Sequence, residues 1–283
     1  MNRRPGRLMA LAALSIAVFA APAFAQRSFD DDRYDNPRDR YEHRNDAENQ
    51  REKNIAGEFD YYALVMSWSP TYCSDHYDRG FDPQCDRTDG RRYAFVLHGL
   101  WPQYERGFPG ECRTRRKPYV PQPVIDAMLD IMPSPKLVIH EYRKHGTCSG
   151  LEPAAYYETA RQLFRKIKIP ERYINPYEAM FVTPGEVVQD FIENNSDLKP
   201  EMLAVACGGP GCRLREVRVC LTKEGKPRAC GSNENQRKLC SAQQMFVPPV
   251  RSTKADPDSA EDRQKFKNAP TPRPRVIPGV GER

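Results

Sequence analysis

Beyond residue 25 this 283-residue sequence has no apolar run approaching the ~18 residues that cross a bilayer, so no membrane span is expected there. It has no paired C-x-x-C sets, the closest cysteine spacing being Cys207 to Cys212, which argues against a zinc-ribbon or zinc-finger fold. There is no internal repeat, and helical and strand patterns do not alternate as βαβ units, which speaks against solenoids and doubly wound sheets. Nor is there an excess of one charge. The formal net charge of +6 falls to +3 once Arg3, Arg4 and Arg7 are set aside with the first 25 residues. A polyanionic partner is permitted by that balance but not demanded by it.

Those first residues have a purpose of their own. Three arginines precede an apolar run from Leu8 to Ala21, and Ala23-Phe24-Ala25 supplies a small-x-small cleavage site, so residues 1–25 are expected to be a secretory signal peptide and Gln26 the mature start. Periplasmic or secreted localisation follows. Nine cysteines in an exported chain predict a disulfide framework with one thiol left over. Residues 26–57 are charged and nearly free of aliphatic side chains, and residues 247–283 are proline-rich and charged. Both are expected to be disordered. That leaves 58–246 as one domain with a proper core.

Within it, Phe59 to Trp68 is apolar enough for a buried strand ended by Ser69-Pro70. A second strand, 92–97, is expected to stop at Gly99 and Pro102 and so deliver His98 and Trp101 at its terminus or in a loop. Helices are predicted over 123–132, over the face Tyr156, Ala160, Leu163, Phe164, Ile167, and from the capping box Thr183-Pro184-Gly185-Glu186 to Asn194. Residues 204–207 and 214–221 read as further strands. The fold class is α+β with a mainly antiparallel sheet.

The chemistry concentrates in His140-Glu141-Tyr142-Arg143-Lys144-His145-Gly146-Thr147-Cys148. Read as a helix, it places His140 at 0°, Lys144 at about 40°, Glu141 at about 100° and His145 at about 140° on one face, with Tyr142 at about 200°. A zincin needs H-E-x-x-H, and the spacing here is H-E-x-x-x-H with a lysine beside the proposed cation, so no metal is expected. Surface or core-satisfied histidines would be the bland alternative. Two histidines near their ordinary pKa can instead act as acid and base on a ribose 2′-hydroxyl and its neighbouring phosphate, with no metal or cofactor. Lysine and a third imidazole can then stabilise the phosphoryl oxygens. An exposed Trp101 would offer a platform for an unstacked base.

The segments 95–102 (Phe-Val-Leu-His-Gly-Leu-Trp-Pro) and 140–148 resemble the two active-site segments of the ribonuclease T2 family, in the family's order, and the resemblance spans about Glu58 to Phe246. It implies a metal-independent endoribonuclease with His145 as general base and His98 as general acid. His140, Glu141 and Lys144 would bind the scissile phosphate, Trp101 would pack on a nucleobase, and RNA would be the partner of a monomeric enzyme. It also suggests the pairs Cys73–Cys85, Cys112–Cys148, Cys220–Cys230 and Cys207–Cys240 with Cys212 free, while Cys207–Cys212 with Cys240 free stays open. Tyr142 stands where the family usually has tryptophan, and altered packing is expected there. Gln103 stands where some members have a base-reading aspartate, which leaves base preference open. A non-catalytic relative that binds RNA or a protein is the competing reading.

Overall fold

The computed structural model describes residues 54–76, 81–87 and 92–250. The expected signal peptide, nearly all of the charged N-terminal tract and the tail from 251 onward lie outside them. The strands are β1 (Tyr61–Trp68), β2 (Phe95–Gln103), β3 (Met180–Val182), β4 (Leu203–Gly208), β5 (Arg213–Leu221) and β6 (Met245–Val247). The helices are α1 (Ser69–Asp75), α2 (Gln122–Met128), α3 (Pro135–Lys144), α4 (Pro153–Lys166), α5 (Pro184–Asn194) and α6 (Gln236–Leu239). This is the α+β class with a mainly antiparallel sheet, ordered β2-β1-β5-β6-β3, in which β4 also pairs with β5. Only the single β5–β6 contact is parallel.

β1 is an interior strand between β2 and β5, and the register explains why its run of apolar residues is continuous. Tyr62, Leu64, Met66 and Trp68 lie on the core face with Val217, Val219 and Leu221 of β5. On the opposite face β1 places Tyr61 at its start and then the small Ala63, Val65 and Ser67 beneath the longer side chains of its neighbours. Proline in the first two positions starts α1, α2, α3, α4 and α5, where a missing N–H costs nothing. The expected capping box is present: Thr183 Oγ1 accepts from Glu186 N–H at 3.0 Å, and Glu186 Oε2 accepts from Thr183 N–H at 2.6 Å.

Two local expectations need correction. β2 does not stop at Gly99 or Pro102 but runs through both to Gln103, so His98 and Trp101 sit inside a strand. Pro102 is tolerated because β2 is the edge of the sheet, where no ladder donor is required on the outer side. The pairing is also irregular, with Val65 opposite Gly99 but Met66 opposite Leu97, which leaves His98 as the extra residue of a β-bulge. In a regular strand, residues three apart point to opposite faces. The bulge puts His98 and Trp101 on one face while Leu97 and Leu100 both stay in the core. The second correction is that the catalytic-motif helix ends at Lys144 and continues as a 3₁₀ turn, Gly146–Ser149, rather than running to Cys148.

Four disulfides close the fold: Cys73–Cys85, Cys112–Cys148, Cys207–Cys240 and Cys220–Cys230. Cys212 is free and exposed, so the Cys207–Cys212 alternative is excluded. The packed chain continues past 246. Val247 and Val250 are buried, Trp68 Nε1 donates to the Pro248 carbonyl at 3.1 Å, and Val250 N–H donates to the Pro176 carbonyl at 2.9 Å.

Candidate active site

Ser134 caps α3 by accepting from Leu137 N–H, and the helix then presents Glu141 inward and leaves His140 and Arg143 exposed. Tyr142 turns away from the site into the core. Its hydroxyl donates to the Leu151 carbonyl at 3.0 Å, and its ring lies 5.8 Å from that of Tyr156. At the C-terminus, Glu111 N–H donates to the Lys144 carbonyl at 2.8 Å, satisfying an acceptor that a continuing helix would have used. His145 is the cap residue, and the Cys112–Cys148 bridge fastens the turn that follows.

β2 supplies the other half. The His145 ring stacks on Trp101, with centroids 4.8 Å apart and planes 19° from parallel, and His98 meets the same indole edge-on at 5.0 Å. Trp101 Nε1 donates to Glu141 Oε2 at 2.6 Å, and the other carboxylate oxygen, Oε1, is 3.6 Å from His98 Nε2. Trp101 is therefore half-buried, with His145 stacked on it and the Arg218 guanidinium 5.0 Å over its ring, rather than a fully exposed platform. Gly99 is required by this closeness: a Cβ there would lie 2.1 Å from Glu141 Oε2 and 2.4 Å from Trp101 Nε1.

The sequence reading missed a third contributor, β5. His98 Nδ1 is 2.9 Å from Glu216 Oε1, so a carboxylate orients the imidazole from behind. Arg218 Nε and Nη2 donate to Glu216 Oε2 at 3.1 and 2.8 Å, and Arg218 Nη1 lies 3.6 Å from Glu234 Oε1. Glu234 in turn accepts from the Tyr61 hydroxyl. The available signal was the pair Glu216 and Arg218 at i, i+2 on a strand whose other face is Val217 and Val219. Two charges on the second face of a central strand need partners.

The electrostatics separate the two histidines. Burial pushes the His145 pKa well below its ordinary value, and the charges of Lys144, His98, His140 and Arg218 push the same way. His145 is 4% exposed and its Nδ1 has no hydrogen-bond partner among the described residues. For His98, partial burial pulls downward, but Glu141 and Glu216 outweigh it and the net shift is upward. Burial raises the Glu141 carboxyl despite His98, the Trp101 N–H and Lys144. Glu216, though buried, is held down to about 2 by Arg218 and His98. One imidazole thus favours the neutral form and the other the protonated form, the division of labour that proton transfer in both directions requires.

His98, Trp101, Glu141 and His145 are brought together as a contacting group. His140 and Lys144 join them through their charge on His145. Gln103 is buried, and its Oε1 accepts from Asn233 Nδ2 at 2.8 Å, so this amide is occupied in holding the turn after β2.

The sequence profile of the Ribonuclease T2 family matches residues 59–230. A ribonuclease from Aeromonas hydrophila is 38% identical over 193 residues, covering 66% of this chain and 82% of the relative. Ribonuclease I of Escherichia coli is 23% identical over 201 residues, covering 58% and 75%. Among solved structures, ribonuclease MC1 from bitter gourd seeds superposes with a TM-score of 0.51 at 21% identity, covering 66% of this chain and 99% of that one. Trichomaglin, described as an S-like ribonuclease, does so with a TM-score of 0.52 at 21% identity, covering 68% and 100%. The profile match across most of the domain, together with the Aeromonas relative, shows that the chain belongs to the ribonuclease T2 family and is an endoribonuclease of that type.

Proposed function

We propose that the chain is an exported, metal-independent endoribonuclease that cleaves single-stranded RNA with broad base tolerance. His145, neutral in its buried setting, takes the proton of a ribose 2′-hydroxyl. The 2′-oxygen bonds to the adjacent phosphorus, the bond from phosphorus to the 5′-oxygen breaks, and His98 gives its proton to the leaving oxygen. The products are a 2′,3′-cyclic phosphate and a 5′-hydroxyl, and hydrolysis of the cyclic phosphate exchanges the two roles. His140 and Lys144 supply positive charge to the phosphoryl oxygens. Glu141, its carboxyl pKa raised by burial, completes the phosphate-binding group while it accepts from the Trp101 N–H and faces His98 Nε2. Trp101 positions His145 and Glu141, and meets a nucleobase only with the ring surface that His145 and Arg218 leave uncovered.

The observation that carries this reading is the opposite displacement of the two histidine pKa values within one cluster held around Trp101. A ribonuclease MC1 variant crystallised in complex with 5′-UMP supports a nucleotide ligand for the same fold. Four disulfides support export after removal of residues 1–25, with the catalytic domain of a monomer beginning near 58 and extending past 246 to about Val250. The test is incubation of the purified mature protein with RNA and EDTA. Products with 2′,3′-cyclic ends that disappear in His98→Ala and His145→Ala are expected. Intact RNA would favour a binding module instead, and cleavage abolished by EDTA would overturn metal independence.

A further inference from the structure

Beside the catalytic helix lies a concentration of positive charge that the acid–base cluster does not use. Arg113, Arg115, Arg116 and Lys117 follow one another almost without interruption, and with Arg143 of α3 they line one shallow groove. All five side chains are exposed, and none makes an ion pair with a described residue. The only acid in the groove is Glu111. Five cations against one carboxylate leave +4 on this small surface, close to the +6 of the whole chain. An overall basic balance does not produce that; it is a local feature.

The groove's position ties it to the site. Arg143 and His140 are three residues apart on α3, hence neighbours on the helix surface, and both are exposed. Lys144 follows, so positive charge runs from the scissile-phosphate groups over Arg143 to the loop. The loop is also fixed to the helix. Cys112, next to Arg113, is bonded to Cys148, and Glu111 N–H is bonded to the Lys144 carbonyl. Held in this way, the cations need little ordering before they meet a ligand. Phe108 and Tyr119, 41% and 71% exposed, bracket the basic segment in sequence and supply faces of the kind on which single-stranded bases stack.

We infer that the Arg113–Lys117 loop and Arg143 form a track for the phosphodiester backbone of a single-stranded RNA extending beyond the scissile bond. This rests on the reading of the site as RNA-cleaving. Unpaired arginines and lysines beside a phosphate site suit a polyanion with regularly spaced charges, and the exposed aromatic rings suit a single strand over a duplex.

The test compares wild type with a variant carrying R113Q, R115Q, R116Q, K117Q and R143Q, none of which removes a group of the acid–base cluster. Cleavage of a dinucleoside monophosphate, too short to reach the track, is expected to be unchanged. Binding is read by titration with an uncleavable 2′-O-methyl strand of about 20 nucleotides. Log affinity falls with log salt by about 0.7 per phosphate neutralised on a single strand. If three to five cations are engaged, wild type loses roughly 20- to 130-fold more affinity than the variant between about 50 and 200 mM salt. Parallel salt slopes would overturn the track. So would loss of binding to anionic phospholipid vesicles with RNA slopes unchanged, which would assign the surface to membranes. A wild type that leaves the dinucleotide intact would refute the catalytic reading, while the titration would still report on the track separately.

Discussion

Glu216→Gln is the perturbation that most directly tests how His98 is tuned. The amide keeps an oxygen to accept from His98 Nδ1, now 2.9 Å from the carboxylate, and removes only the charge. A hydrogen bond to a charged group is worth about 1.5–3 kcal/mol, and about 1.36 kcal/mol corresponds to one pKa unit. His98 is 30% exposed and Glu141 remains 3.6 Å from its other nitrogen, so the lower end applies. The His98 pKa is expected to fall by about one unit. As general acid, His98 works below its pKa, so the descending, high-pH limb of kcat/KM should move down by about one pH unit. The ascending limb, set by His145, should stay in place. A dinucleotide cleavage assay from acid to neutral pH reads both limbs. A stability measurement adds an independent check. Glu216 has its carboxyl held at about 2 against an ordinary 4.5, so its stabilisation is present above about 4.5 and is lost as pH falls toward 2. The Gln variant should lack that part of the acid-side decline. A descending limb that stays put in a folded variant would refute the assignment of Glu216 as the group that positions and charges His98.

Trp101→Phe keeps an aromatic ring against His145 but removes the N–H that satisfies buried Glu141, a loss of about 1–3 kcal/mol. Steady-state kinetics should show kcat falling with KM little changed; a rise in KM alone would mean the indole serves mainly as a base platform. Gly99→Ala forces a methyl into Glu141 and Trp101 and should cost about 1–3 kcal/mol in urea unfolding. Displacing the cluster by about an ångström should also lower activity by roughly 100-fold, and wild-type turnover in this variant would contradict the close approach. Replacing both Cys112 and Cys148 by serine removes a bridge across a separation of 36 residues and should cost about 3–4 kcal/mol. Denaturation midpoints measured with the other three bridges intact check that value.

The long elements were legible because their patterns repeat. The apolar run of β1, the alternation in β5 and the capping box of α5 all encode themselves locally. β3 and β6 have three residues each, too few for a period of two to register, and they form through long-range pairing, β3 with β6 and β6 with β5. Glycine and proline in β2 read as strand breakers, yet the edge position removes the objection to Pro102, and the side chain of Glu141 removes any choice other than glycine at 99. The histidine motifs showed which residue types were present but not how they meet. A helical wheel carried His145 one residue past the end of its helix, and Trp101 looked open because nothing in its own neighbourhood in sequence covers it. Glu216 and Arg218 were invisible as site residues because their role comes from the pairing of β5 with β1, a contact of long sequence separation.

The bulge at His98 also makes the count of residues in β2 a matter of parity. Leu97 and Leu100 belong to one face, and His98, Gly99 and Trp101 to the other, although their spacings mix odd and even steps. Regular pairing with every residue kept would leave His98 in place but send the indole into the core and a leucine out over the catalytic groups, whereas deleting one residue between the two would keep His98 and the indole on one face. An inserted residue upstream of Phe95 would be absorbed by the loop, whereas one between Leu97 and Trp101 would exchange interior for exterior. Here folding and catalysis read the same frame. Insertion in this stretch should therefore be far less tolerated than side-chain variation, and an otherwise similar chain with one residue more between the histidine and the tryptophan should have neither this core nor this cluster.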